Sequence, residues 1–189
     1  MKIRTFIALE LPPFLRHELS SQAKLLAGQD KRQQIRWMLR ENYHLTLAFL
    51  GNVDSARLTN LLFVMEQELE SVEAVPCKFS TITPFPFSRP KIAAALLECN
   101  AELLELQTDV VNCARSCGIS SERRRRFVPH VTLGRLKPYT GKSVDFQAHN
   151  ILLAGVANTV TLFQSELTPN GAIHTALAEI PLRTLPEEK

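Results

Sequence analysis

Two short stretches of the chain combine residue types that could do chemistry at a matching spacing. The first is His44-Leu45-Thr46-Leu47, inside the run from Tyr43 to Gly51, and the second is His130-Val131-Thr132-Leu133, following Phe127-Val128-Pro129. Successive side chains of a β-strand point to opposite faces, so each copy can bury its aliphatic residues and present an imidazole and a hydroxyl on the other side. Histidine titrates near neutrality, so two of them facing one cleft can serve as a base and an acid on opposite sides of one bond. That pairing suits in-line displacement at phosphorus, where water loses a proton while an alkoxide leaving group gains one. The threonines can donate O–H bonds to the non-bridging oxygens. An alkoxide gains much from a proton, which favours a phosphodiester over an already activated phosphate. Neither motif contains Asp or Glu, and two neutral imidazoles without carboxylates make a poor divalent-metal site. Catalysis without metal or other cofactor is therefore expected.

The elements that must hold these strands can be read from periodicity. Lys2 to Leu9 reads as a strand, and Pro12-Pro13 suits the start of a helix, where a missing N–H costs nothing. Leu15, Leu19, Ala23 and Leu26 keep helical spacing until Gly28, the expected stop. Ile35 to Met38 is a short strand, and the first motif strand runs from Tyr43 to Leu50, broken by Gly51-Asn52. Asp54 or Ser55 can cap a helix carrying Leu58, Leu61, Met65 and Leu69. Val75, Cys77 and Phe79 then alternate with period two. An aromatic, proline-rich loop spans Pro84 to Pro90, and a strand follows at Ile92 to Leu97. Asn100 can cap a third helix, which Gly118 ends. The second motif strand spans Phe127 to Leu136, Pro138 to Gly141 is a turn, and strands are expected near Ile151 to Ala154, Val160 to Leu167 and His174 to Ile180. Helices alternating with strand pairs predict an α+β fold with mainly antiparallel sheets. The loosely similar halves suggest a duplication into two lobes within one domain over residues 1–189.

With 189 residues, 45% of them hydrophobic, the chain has the length for a sizeable core. Its net charge of +3 is compatible with an anionic substrate and too small for a protein that coats nucleic acid. No apolar run reaches membrane-spanning length. Arg4 and Glu10 interrupt the apolar N-terminal stretch, which therefore reads as a first strand, and a cytoplasmic monomer is expected. Cys77, Cys99, Cys113 and Cys117 form no C-x-x-C pair and are expected to be free, mostly buried thiols.

The paired motifs resemble those of the two-histidine (2H) phosphoesterases, and their surroundings resemble the RNA 2′,3′-cyclic phosphodiesterase, or 2′-5′ RNA ligase-like, branch. The stretches concerned are Phe6-Ile7-Ala8-Leu9-Glu10-Leu11-Pro12, Arg36-Trp37 ahead of Glu41-Asn42, the first motif through Ala48-Phe49-Leu50-Gly51, the second through Gly134-Arg135, and Leu162-Phe163-Gln164-Ser165-Glu166-Leu167. The resemblance implies a bilobal fold around a pseudo-two-fold cleft and hydrolysis of an RNA-terminal 2′,3′-cyclic phosphate to a 2′-phosphomonoester. It makes His44 the proton donor to the leaving 3′ oxygen and His130 the base that activates water, roles that the near-symmetric motifs could not apportion alone. Thr46, Thr132 and Arg135 would hold the phosphate. A regular strand puts Arg135 on the face of Val131 and Leu133, away from His130, so it reaches the phosphate only if the strand ends or bulges near Gly134.

Other candidates carry weaker signals. Arg123 to Arg126 could contact an RNA backbone, though charge runs are usually solvated loops. Phe49 shares the strand face of Leu45 and Leu47 and is expected in the core. Phe85 and Phe87 could frame a nucleobase or pack at the core edge. His17, His149 and His174 lack a Thr partner and are expected to be non-catalytic. Competing functions are 2′-5′ ligation or phosphodiester cleavage at the same site, phosphoester hydrolysis on cyclic mononucleotides or ADP-ribose derivatives, and an RNA- or nucleotide-binding module without catalysis.

Overall fold

The computed structural model describes residues 2–121, 127–137, 146–168 and 171–184. Strand β1 (Lys2–Glu10) is buried from Thr5 to Leu9 without alternation, as befits a strand covered on both faces. Helix α1 (Pro13–Gln29) begins with a proline in its first turn. It runs through Gly28, and the reversal falls at Asp30. The Asp30 carboxylate accepts from the backbone N–H groups of Gln34 and Ile35, both at 2.9 Å, and so leads the chain into β2 (Ile35–Trp37). A 3-10 turn at Arg40–Asn42 precedes β3 (His44–Asp54), which continues past Gly51 because β1 pairs with it as far as Lys2↔Asp54. Helix α2 (Ser55–Leu69) follows. Strand β4 (Val75–Phe85) takes in the start of the expected proline-rich loop, and β5 (Ile92–Leu97) falls where period and composition put it.

Helix α3 (Ala101–Ser116) is capped as expected, the Asn100 side chain accepting from Leu103 N–H at 2.9 Å. Gly118, at φ +66°, ends it in the left-handed conformation. Strand β6 (His130–Leu136) starts at the motif histidine, and β7 (His149–Ala157), β8 (Thr159–Thr168) and β9 (Gly171–Pro181) complete the chain. The turn expected at Pro138 to Gly141 and the arginine run Arg123 to Arg126 lie outside the described residues.

The fold is α+β, and its paired strands are antiparallel, in the order β7-β4-β5-β6-β3-β1-β8-β9, with β2 on the edge of β6. The two sheets expected from the sequence are joined. Between β3 and β6 a single residue pair, Leu45↔Val131, links the half-sheet β7-β4-β5-β6 to the half-sheet β3-β1-β8-β9. Beyond that pair the motif strands diverge, and β2 takes the rest of the β6 edge through Trp37↔Gly134 to Ile35↔Leu136. The order is symmetric about the seam. Each motif strand lies beside the strand that precedes a helix, β1 beside β3 and β5 beside β6. The likeness of the halves is thus one of topology.

Leu45, Leu47, Val131 and Leu133 are all buried, in a core shared with Leu15 and Leu19 of α1, Leu61 and Met65 of α2, and Leu103 of α3. α1 packs on β7, whereas α2 and α3 pack on each other and on β3. All four cysteines are free, but only Cys77 and Cys113 are buried and Cys99 is exposed. Among the described residues no helix is long and apolar enough to cross a membrane.

Candidate active site

An extra residue in each motif strand builds the site. On β3, Ala48 pairs with Ile7 and Thr46 with Ala8, so Leu47 has no partner of its own on β1. On β6, Gly134 pairs with Ala93 and Thr132 with Ala94, leaving Leu133 unpaired on β5. A bulge of this kind resets the alternation. The two strands consequently show one burial sequence over six positions: His half-buried, aliphatic buried, Thr half-buried, Leu buried, Ala or Gly buried, and the sixth residue exposed. The sixth residue is Phe49 in one strand and Arg135 in the other. Arg135 therefore rejoins the face of His130, meeting the condition set by the sequence. Phe49 leaves the core expected for it and is 53% exposed.

His44, Thr46, His130, Thr132 and Arg135 all line one cleft of about 490 Å³. Continuing the antiparallel register of Leu45↔Val131 by one residue in each direction sets His44 opposite Thr132 and Thr46 opposite His130. Each motif strand thus brings one imidazole and one hydroxyl to the same cleft. A phosphate between the strands would meet a histidine and a threonine from each. Arg4 and Arg135 also line the cleft, and among the described residues no Asp or Glu does, so the site suits an anion.

The Nδ1 of His130 lies 2.8 Å from the carbonyl oxygen of Val128. A carbonyl can only accept, so Nδ1 carries the proton and Nε2 keeps its lone pair. At His44 the backbone of Asn42, also two residues back, favours the charged ring. Both rings sit against aromatic surfaces: His44 stacks on Phe6 at 4.9 Å and on Phe163 at 5.7 Å, and His130 lies 4.8 Å from Phe85. Burial lowers the pKa of His130 and, together with the neighbouring His174, depresses that of His44 to about 3. Both histidines of the free site are thus neutral at pH 7.

The sequence reading passed over three residues of the cleft. His174, on β9, meets His44 edge to face at 5.4 Å, and its buried Nδ1 has no partner. Thr5 is 2% exposed, and its hydroxyl is also unpartnered. Arg4 precedes it on the same strand. No motif marks any of them. His174 arrives because β9 forms a hairpin with β8, and β8 pairs with β1 far back in the chain, as in Thr5↔Gln164. By contrast, the Nε2 of His149 is 3.1 Å from the Gln22 Oε1, which ties β7 to α1, and His17 lies on α1. Among the described residues no group of three or more His, Cys, Asp and Glu side chains is placed to hold a metal ion.

Gly134 is what lets Arg135 turn in. A Cβ there would lie 2.5 Å from Ile35 Cγ2 and 3.3 Å from the Arg36 carbonyl oxygen, both on β2. Gly134→Ala therefore forces β2 away from β6, and we expect destabilisation of about 1–3 kcal/mol. A thermal melt measures the stability. Anion affinity should fall with it as Arg135 is displaced, whereas an unchanged melt would mean that β2 yields without cost.

A cleft with a His-x-Thr strand on each side and an arginine rim is the arrangement that the resemblance to the two-histidine phosphoesterases implies. The model of the LigT-like phosphoesterase family matches residues 9–93, which contain the first motif. The chain is 28% identical over 188 residues to the RNA 2′,3′-cyclic phosphodiesterase of Methanocaldococcus jannaschii, covering 94% of this chain and 99% of that one. In fold it is similar to TT0787 of Thermus thermophilus, with a TM-score of 0.82 at 22% identity over 96% and 99% of the two chains. It is also similar to E. coli LigT complexed with 3′-AMP, with a TM-score of 0.76 at 21% identity over 96% and 99%.

Proposed function

We propose that the protein hydrolyses 2′,3′-cyclic phosphate at the end of an RNA strand to a 2′-phosphomonoester, using His130 as base and His44 as acid. The observation that carries this reading is the convergence of both His-x-Thr pairs and Arg135 on one anion-suited cleft. The named activity of the Methanocaldococcus relative supports the choice of substrate. His130 is suited to the base by its Nδ1 bond to Val128, which leaves Nε2 to take a proton. Water loses a proton to that nitrogen as its oxygen bonds to phosphorus. The bond from phosphorus to O3′ breaks, and O3′ takes from His44 the proton that the ring acquired from solvent when the anion bound. Thr46, Thr132 and Arg135 donate to the non-bridging oxygens throughout. The step leaves His130 charged and His44 neutral, and exchange with solvent restores the starting state. The donor set contains no carboxylate, and none of these steps requires a metal.

Phosphorus NMR of products from a nucleoside 2′,3′-cyclic phosphate, incubated with the enzyme in EDTA, tests the reading. The expected product is the 2′-monoester alone. Activity that returns only on adding a divalent cation would overturn metal independence. A 3′-monoester would reverse the choice of leaving oxygen, and 2′-5′-linked products from oligonucleotides would move the activity to ligation.

A further inference from the structure

A second concavity, of about 870 Å³, opens off the catalytic cleft and shares Thr46, Phe49 and His130 with it. Its walls come from β3, from α3 and from the loop after β4. Phe87 in that loop is 69% exposed, and its ring meets Phe85 edge to face at 5.6 Å. Phe85 in turn lies 4.8 Å from His130, and Phe49 also lines the groove. The polar lining includes Gln107, Asn112 and Arg115 of α3, and among the described residues no Asp or Glu lines the groove.

We propose that this groove binds the single-stranded nucleotides immediately 5′ of the cyclic phosphate, stacking their bases on Phe49 and Phe87 with Arg115 beside their backbone. The inference rests on the function proposed above. With the terminal phosphate held between the two motifs, the rest of the strand must leave along a surface continuous with the cleft. The groove is such a surface, and it offers what a strand without fixed sequence needs: aromatic faces, a cation and no repelling carboxylate. The bulge in β3 contributes directly, since it moves Phe49 out of the core to the junction of cleft and groove. A peptide or a second copy of this chain seated there would cover His130 and shut out the substrate.

The test compares kcat/KM for a uridine 2′,3′-cyclic mononucleotide, dinucleotide and trinucleotide, each ending in the cyclic phosphate. Wild-type kcat/KM is expected to rise about 10-fold for the first stacked base added. Phe87→Ala and Arg115→Ala should each remove most of that gain while the mononucleotide is turned over as before, and Phe87→Trp should keep it. Circular dichroism melts of the variants separate misfolding from loss of the subsite. Equal rates at every length, or a gain that survives Phe87→Ala combined with Arg115→Ala, would overturn the proposal. So would a dimer, seen by sedimentation, that Phe87→Ala dissolves, because the groove would then belong to a second copy. Failure to turn over even the mononucleotide would instead refute the underlying function, and this inference with it.

Discussion

His130→Ala is expected to lower kcat on a 2′,3′-cyclic nucleotide by about 100- to 10,000-fold, the usual worth of a positioned base. Its ring lies at the cleft surface against Phe85 and satisfies one carbonyl, so removing it leaves little of the core disturbed. His44→Gln should cost a similar factor, and glutamine better preserves the packing on Phe6 and Phe163 than alanine would. The double variant should be scarcely slower than either single one, because an acid and a base that act in one step contribute as a unit. Steady-state rates on a cyclic mononucleotide, with thermal melts as the control for folding, decide the matter. Wild-type kcat in either single variant would rule out paired acid–base catalysis.

The second large effect concerns protons. In the free site burial holds both imidazoles neutral, with His44 depressed to about 3 and His130 lowered from its ordinary value. A neutral imidazole is a poor acid, so the charged form of His44 is the one suited to protonating a leaving oxygen. An anion in the cleft favours the charged ring, so its arrival should raise the pKa and draw in a proton. Over the pH range between the free and the bound values, affinity should weaken by about 10-fold per pH unit as pH rises. Sulfate is a suitable probe, because its own charge is constant there, and competitive inhibition measured across that range reads the slope. A flat profile would mean that the acid is already charged before substrate binds.

The sign for folding follows from the same depression. Below the ordinary histidine range the unfolded chain binds protons that the folded chain resists. Stability contributed by the neutral rings is therefore present near pH 7 and declines as pH falls toward the depressed values.

The motif residues were legible because strand alternation is local: His44 and Thr46 face one way and Leu45 and Leu47 the other, whatever the rest of the chain does. The sixth residue of each copy was not, because a bulge is a relation between two strands. Alternation run past Leu47 without interruption puts Phe49 in the core, and the register against β1 puts it in the cleft. One local sign existed: a small residue, Ala48 or Gly134, stands at the same offset in both copies. The cap at Asn100 was readable from three residues, whereas Gly28 misled because Asp30 supplies a competing set of bonds. His174 and Thr5 were invisible for a different reason. Their role comes from what lies beside them in space, and a lone histidine or threonine in a strand carries no record of its neighbours.

The single pair Leu45↔Val131 joins the two half-sheets. Elsewhere neighbouring strands along the sheet share several residue pairs, so the line between the halves is the most sparsely paired in the sheet. The residues on either side of that one stitch are His44, Thr46, His130 and Thr132. An anion gripped by both motifs crosses the same line and acts as a second stitch. On the function proposed above, substrate would bind across the seam between the two half-sheets.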